Sequence, residues 1–180
     1  MNFYRCRICG ETYLGTKPPS RCPFCGVTDN FFVLTTEYTE NGTPLTLSET
    51  EVADVAHAID LERGNARFYR ALSTHPDNPK LASAFKRMAS VEAEHCSIFC
   101  KLAGVEKPTD LLEPADEHGT WCDGVQESLA RELRASTFYA EASGRARTAR
   151  VAEVFIAIGA VERDHIELDG IAAEIAHCDD

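Results

Sequence analysis

The chain has 180 residues, 44% hydrophobic and 26% charged, which suits one ordinary domain or a helical domain with a small appendage. Its 18 basic residues against 29 acidic ones give a formal charge of −11, which argues against a nucleic-acid backbone as partner, because affinity there comes from clustered Lys and Arg. No apolar run reaches the roughly 18 residues a transmembrane helix needs, and the start, Met1 to Cys6, lacks an apolar core of signal-peptide type, so a cytoplasmic location is expected.

Four of the eight cysteines fall in the first 25 residues. In a cytoplasmic chain, such clustering points to metal or redox chemistry before disulfides. Cys6-Arg7-Ile8-Cys9-Gly10 and Cys22-Pro23-Phe24-Cys25-Gly26 are two Cys-x-x-Cys-Gly knuckles with 12 residues between them. Two residues between thiolates let a tight turn present both sulfurs to one ion, and the glycine permits the positive φ that turn needs. Together they predict a tetrahedral four-sulfur site for one iron or one zinc, and the spacing does not choose between them. Residues 1–35 are too few to be held by an apolar core alone, so they are expected to form a four-cysteine metal domain. Residues 36–47, with Asn41-Gly42 and Pro44, read as a linker.

From residue 48 to 180 the prolines fall only in short gaps between long amphipathic stretches, roughly 49–73, 80–103, 124–147 and 148–177, which predict four helices. Ser48 and Glu51 form a capping box, Asn78-Pro79 starts the second helix and Gly104 ends it. Asp123 with Gln126 is expected to start the third in a similar way. The connection between the second and third helices is about 20 residues, long enough to run the length of a bundle, as in ferritin-like connectivity. The expected fold is therefore an all-α four-helix bundle of ferritin-like type over 48–180, preceded by a small metal-knuckle domain.

The bundle sequence repeats. A shift of 70 residues aligns Glu62 with Glu132, Phe68-Tyr69 with Phe138-Tyr139, Phe85 with Phe155, Glu92 with Glu162 and His95 with His165. Glu92 and His95 lie at i and i+3 on one helix face, as do Glu162 and His165. One Glu from each of two helices and one Glu-x-x-His from each of the other two is the ligand set of ferritin-like di-metal carboxylate bundles. A dinuclear iron or manganese site needs such oxygen donors, some bridging, with an imidazole on each ion. Tyr69 and Tyr139 fall seven residues after Glu62 and Glu132, positions from which each phenol can donate to a ligating carboxylate or supply a proton.

With both motifs in hand, the chain resembles the rubrerythrins over nearly its whole length. The rubredoxin-like part matches as Tyr4-x-Cys6-x-x-Cys9-Gly10-x-x-Tyr13, Pro18-Pro19 and Cys22-Pro23-Phe24-Cys25-Gly26. The bundle matches at Glu62, Glu92-x-x-His95, Glu132 and Glu162-x-x-His165. The resemblance implies iron held by Cys6, Cys9, Cys22 and Cys25, and a di-iron centre held by Glu62, Glu92, His95, Glu132, Glu162 and His165. It further implies a peroxidase that reduces hydrogen peroxide to water in oxidative-stress defence, with electrons passing from the mononuclear to the dinuclear iron and an external reductase supplying them. An antiparallel homodimer is implied too, with the rubredoxin-like iron of one chain serving the bundle of the other. The sequence leaves domain swapping through 104–122 open.

Two departures stand out. The rubredoxin-like part comes first, the order of the reverse rubrerythrins. A second carboxylate expected three residues from the first on the third helix is missing, since those positions are Leu129 and Ala135. Dioxygen as oxidant, in an oxidase or ferroxidase, therefore stays an alternative, as does a metal-binding module with a structural zinc clasp. Cys96 and Cys100 read as buried apolar residues, with a thiol beside the metals as the alternative. Cys122 and Cys178 can pair only if the fold brings them together. His57, His75, His118 and His177 read as surface residues, and Arg145–Arg150 as the solvated corner between the last two helices.

Overall fold

The computed structural model describes residues 1–40, 45–115 and 119–178. The predicted linker turn at Asn41-Gly42 and Pro44, and His118, lie outside the described residues. Strands β1 (Asn2–Cys6), β2 (Thr12–Gly15) and β3 (Phe32–Leu34) form one antiparallel sheet in the order β2-β1-β3. β1 delivers Cys6 into the first knuckle. There the Gly10 amide bonds the Cys6 carbonyl at 2.9 Å, and the Gly26 amide bonds the Cys22 carbonyl at 2.9 Å, so one turn is used twice. Both glycines have positive φ, +85° and +77°, the backbone state that a side chain would strain.

Four helices follow: α1 (Glu49–Leu72), α2 (Pro79–Ala103), α3 (Trp121–Arg145) and α4 (Ala149–Ala176). α1 packs chiefly on α2, and α3 on α4, so each copy of the repeat is a helix hairpin. The four helices and the small strand unit ahead of them are the ferritin-like bundle and the rubredoxin-like knuckle expected from the motifs. Ser48 and Glu51 make both bonds of the capping box, Asn78 caps α2 by accepting from the Leu81 amide at 3.2 Å, and Gly104 ends it at φ 67°.

The third helix corrects the expected start. It begins at Trp121, with Thr120 as N-cap and Asp123 as its reciprocal partner, so Asp123 is the third helical residue and not the cap. A hydroxyl at the cap and a carboxylate three residues on satisfy the same unpaired amides. The extra turn also buries Trp121 against Phe85 and His75. Glu51 does more than cap α1. Its Oε1 accepts from the Arg147 and Thr148 amides at 3.0 and 2.6 Å, joining the start of α1 to the α3–α4 corner. The crossover lies on the first hairpin. Asp110 pairs with Arg63 and Arg67, and Leu111 is buried with Ala66, Ala93, Cys96 and Cys100.

The knuckle unit shares a core with the bundle. Its four cysteines, Ile8 and Val27 pack in one cluster with Val91, Phe99 and Val161. Gly26 lies so close to α4 that a Cβ there would meet Val161 Cγ1 at 2.7 Å. Three cations hold the first knuckle by its carbonyls: Arg150 to Ile8 at 2.9 Å, Lys101 to Cys9 at 3.0 Å and Arg5 to Gly10 at 2.9 Å. Arg21 pairs with Asp164 at 2.8 Å beside the second knuckle. Among the described residues, no helix is long and apolar enough to cross a membrane.

Candidate metal centres

Each knuckle turn holds its two sulfurs on one side, and the sheet sets the two turns face to face. Cys6 and Cys25 Sγ lie 3.9 Å apart, and Cys9 and Cys22 Sγ 3.8 Å. A tetrahedron with metal–sulfur arms of about 2.3 Å has edges of about 3.8 Å, so these separations fit a single tetrahedral ion. All four sulfurs are buried, and the Glu11 amide points at Cys9 Sγ from 3.5 Å.

The second cluster forms where the four helices bring the repeat positions together. Glu62, Glu92, His95 and Glu162 make one group of potential ligand atoms, and Glu92, Glu132, Glu162 and His165 make another, each within 4.8 Å. Glu92 and Glu162 belong to both groups. Glu92 turns Oε2 toward His95 Nδ1 at 3.4 Å and Oε1 toward His165 Nδ1 at 2.9 Å. Glu162 turns Oε1 toward His95 at 3.2 Å and Oε2 toward His165 at 3.5 Å. Two carboxylates that each face both histidines thus stand between two outer Glu–His pairs, Glu62 with His95 and Glu132 with His165.

The donor set calls for cations. Both oxygens of Glu92 and of Glu162, one oxygen each of Glu62 and Glu132, and Nδ1 of both histidines are buried without a hydrogen-bond partner. Buried polar atoms are nearly always paired, and here the unpaired ones all face one another. Burial, reinforced by the charge on Glu162, pushes the Glu62 and Glu132 carboxyls well above their usual range. Two divalent ions would relieve both costs at once. These residues fit one metal ion in the four-cysteine site and a di-iron site in the carboxylate–histidine cluster.

The phenols of Tyr69 and Tyr139 are fully buried and donate across the bundle, Tyr69 to Glu132 Oε1 and Tyr139 to Glu62 Oε1. Each tyrosine therefore serves the terminal glutamate of the other repeat. The two histidines differ in their surroundings. His95 Nε2 lies 2.9 Å from the Cys25 carbonyl; a carbonyl only accepts, so Nε2 carries the proton and Nδ1 faces the carboxylates. This contact joins the two candidate centres within one chain. His165 instead borders a cavity of about 380 Å³, lined among others by Met88, Val91, Val161, Leu168 and Arg21.

Cys96 and Cys100 are buried, as expected of small apolar residues. Burial pushes the Cys96 thiol up to about 12. Cys122 and Cys178 form a disulfide, with Cα atoms 5.3 Å apart, because the start of α3 meets the end of α4. His57 and His177 are exposed, whereas His75 is half-buried against Trp121, its ring 4.8 Å away. The arginine corner is not simply solvated. Arg145 makes a two-pronged pair with Asp54 at 2.8 and 2.7 Å, and Arg150 reaches the first knuckle. Ser128 and Asp169 escape a reading of the sequence, yet both are buried one turn from Glu132 and His165. Their i, i+4 spacing from those residues is the available signal, but neither has a repeat partner of its own kind.

Comparison with known proteins agrees with this geometry. Residues 4–33 match the rubrerythrin rubredoxin-like domain, and residues 55–121 match the rubrerythrin family. Reverse rubrerythrin-1 of Clostridium acetobutylicum is 30% identical over 154 residues, covering 74% of this chain and 82% of that protein.

Proposed function

Since this chain belongs to the rubrerythrin family, with its rubredoxin-like unit in the reverse, N-terminal position, we propose that it is a di-iron peroxidase that reduces hydrogen peroxide to water and draws its electrons through the four-cysteine site. The hydrogen bond between His95 Nε2 and the Cys25 carbonyl carries this reading. Two ferrous ions in the cluster would supply both electrons for breaking the O–O bond and the Lewis acidity that polarises it.

The protein's own groups do the rest. From Cys25 Sγ, the path to His95 Nδ1 runs through one residue, one hydrogen bond and one imidazole ring, so electrons entering at the sulfurs reach the cluster without crossing open space. The Cys25 carbonyl also fixes the His95 tautomer. Tyr69 and Tyr139 hold a proton at Glu132 Oε1 and Glu62 Oε1, within reach of the cluster's carboxylates. The cavity beside His165 borders a proposed ligand of the carboxylate–histidine cluster, and its mostly apolar wall suits a small uncharged oxidant. An external reductase would refill the four-cysteine site. In a homodimer swapped through 104–122, Cys25 and His95 both precede the crossover, so this bond would stay within one chain while α3 and α4 came from the other.

The test is an anaerobic titration of the iron-loaded, fully reduced protein with hydrogen peroxide, followed by stopped-flow visible absorbance. The expected result is rapid growth of the red ferric four-sulfur colour in proportion to added peroxide. If peroxide leaves that centre reduced, or if no iron can be loaded there, the electron path fails. The absence of a further carboxylate at Leu129 or Ala135 favours a second reading, a dioxygen-using oxidase or ferroxidase. Faster oxidation by dioxygen than by peroxide would select it.

A further inference from the structure

The two halves of the bundle are built on one repeat but differ behind their tyrosines. Tyr69 donates to Glu132 Oε1, and its oxygen lies 3.0 Å from Ser128 Oγ, which in turn lies 2.6 Å from Asp169 Oδ1. All four residues are at most 1% exposed. At the corresponding positions of the other half, 70 residues earlier, Ser128 becomes Ala58 and Asp169 becomes Phe99. The Phe99 ring stacks on Tyr139 with centroids 5.7 Å apart. The same helix packing is thus achieved with apolar groups in one half, so packing alone does not call for a serine and a carboxyl in the other. A buried carboxyl is costly unless its polar atoms are used, and Asp169 Oδ2 has no hydrogen-bond partner.

We propose that Asp169, Ser128 and Tyr69 form a one-sided proton relay that feeds the Glu132–His165 half of the metal cluster. The relay rests on the proposed function only in that breaking an O–O bond with two electrons takes up two protons. Protonated Asp169 donates to Ser128 Oγ, Ser128 passes its own proton to the Tyr69 oxygen, and Tyr69 passes its proton to Glu132 Oε1. Each O–H bond breaks as the next forms, so the net change is one proton moved from Asp169 to Glu132. Asp169 is left as a carboxylate, and taking up one proton from solvent restores it. After the transfer the Ser128 hydroxyl points at Asp169 and the Tyr69 hydroxyl at Ser128; Ser128 turning back to Tyr69, and Tyr69 to Glu132, resets the chain.

Burial raises the Asp169 carboxyl to about 7, against the opposing influence of Ser128 and His165, and Glu92 adds to the rise. Both protonation states are therefore available near neutral pH. The relay reaches the cluster on the same half as the cavity beside His165, while the His95 half is tied to Cys25. Protons thus enter on the His165 half, beside a cavity that Gly26 of the second knuckle also lines. Ser128 and Asp169 act through Tyr69 and are positioning residues, not catalytic ones.

The test uses the iron-loaded full-length protein and the variants Ser128→Ala, Ser128→Thr and Asp169→Asn. Electrochemical cycling of the metals under infrared difference spectroscopy should show a protonated-carboxyl stretch that shifts in deuterated water and is absent from Asp169→Asn. Cluster reoxidation should slow about a hundredfold in Ser128→Ala, with metal content unchanged, and should recover in Ser128→Thr, which restores the hydroxyl. A merely structural role predicts no such infrared band. Ser128→Ala oxidised at the wild-type rate with an unchanged solvent isotope effect would overturn the relay. The infrared arm does not depend on the oxidant. A band without peroxide turnover removes the peroxidase reading and leaves the relay standing, whereas peroxide turnover without the band does the reverse.

Discussion

Cys6, Cys9, Cys22 and Cys25 come from two copies of one tight turn, whereas the six proposed ligands of the bundle come from four helices and span the chain from Glu62 to His165. In the knuckle unit, each pair of donors is positioned locally by a glycine turn and two backbone hydrogen bonds, and an ion would supplement the small core shared with the bundle. In the bundle, the apolar packing comes first and the ligands are carried to the centre by it, with Tyr69 and Tyr139 holding the terminal carboxylates. The difference teaches which centre depends on metal for its fold and which depends on the fold for its metal.

The largest expected effect is the unequal response to metal removal. Structural four-ligand sites contribute roughly 10–16 kcal/mol to folding, so chelation under reducing conditions should expose the first 35 residues to protease. The helical circular dichroism signal should change little. Loss of both signals together would show that the bundle also needs its ions to fold. Next come the bridging glutamates. Glu92→Ala or Glu162→Ala should cost the bundle both ions while sparing the cysteine-bound one, and Glu62→Ala should cost mainly the ion shared with His95. Elemental analysis of each purified variant checks this, and two ions retained by Glu92→Ala would break the bridging assignment.

Smaller effects probe what holds the bundle without metal. The Cys122–Cys178 bridge closes a separation of 56 residues, worth about 4 kcal/mol in the loop-entropy account. A Cys122→Ser, Cys178→Ser double variant should melt lower than wild type under non-reducing conditions and no differently under strong reductant. Glu51 is the smallest of the series. Its hydrogen bonds to Ser48 and Thr148 outweigh burial and hold its carboxyl down at about 2, from an ordinary value of 4.5. A depressed carboxyl stabilises the fold above its unfolded-state value, and that contribution fades as pH falls toward 2. Glu51→Gln should thus lose about 1–2 kcal/mol near neutral pH, and its deficit should shrink on acidification. A deficit independent of pH in denaturant titrations would mean that packing, not charge, is Glu51's contribution.

These comparisons also mark what can be read without a structure. The capping box at Ser48, the proline at the start of α2 and Gly104 are short-range rules, and they hold. The start of α3 departs from expectation for a short-range reason: Thr120 competes with Asp123 for the cap, and the burial of Trp121 decides between them. The approach of Cys122 to Cys178, the reach of Arg150 to Ile8 and the burial of Asp169 join residues far apart in sequence, and nothing local reports them.

By itself the sequence determined the donor sets. Cysteine spacing is a property of one turn, and the 70-residue repeat is visible as identical residue types in register. Only the tertiary structure decided how those donors are used. Which carboxylates stand between the two histidines, which tyrosine serves which glutamate and which histidine touches Cys25 are all set by how four helices pack around one point. The repeat makes the two halves alike in sequence, while the knuckle unit on one side and Ser128 with Asp169 on the other make them unlike in surroundings. A pattern along the chain cannot report that difference, because it arises only where separate elements meet.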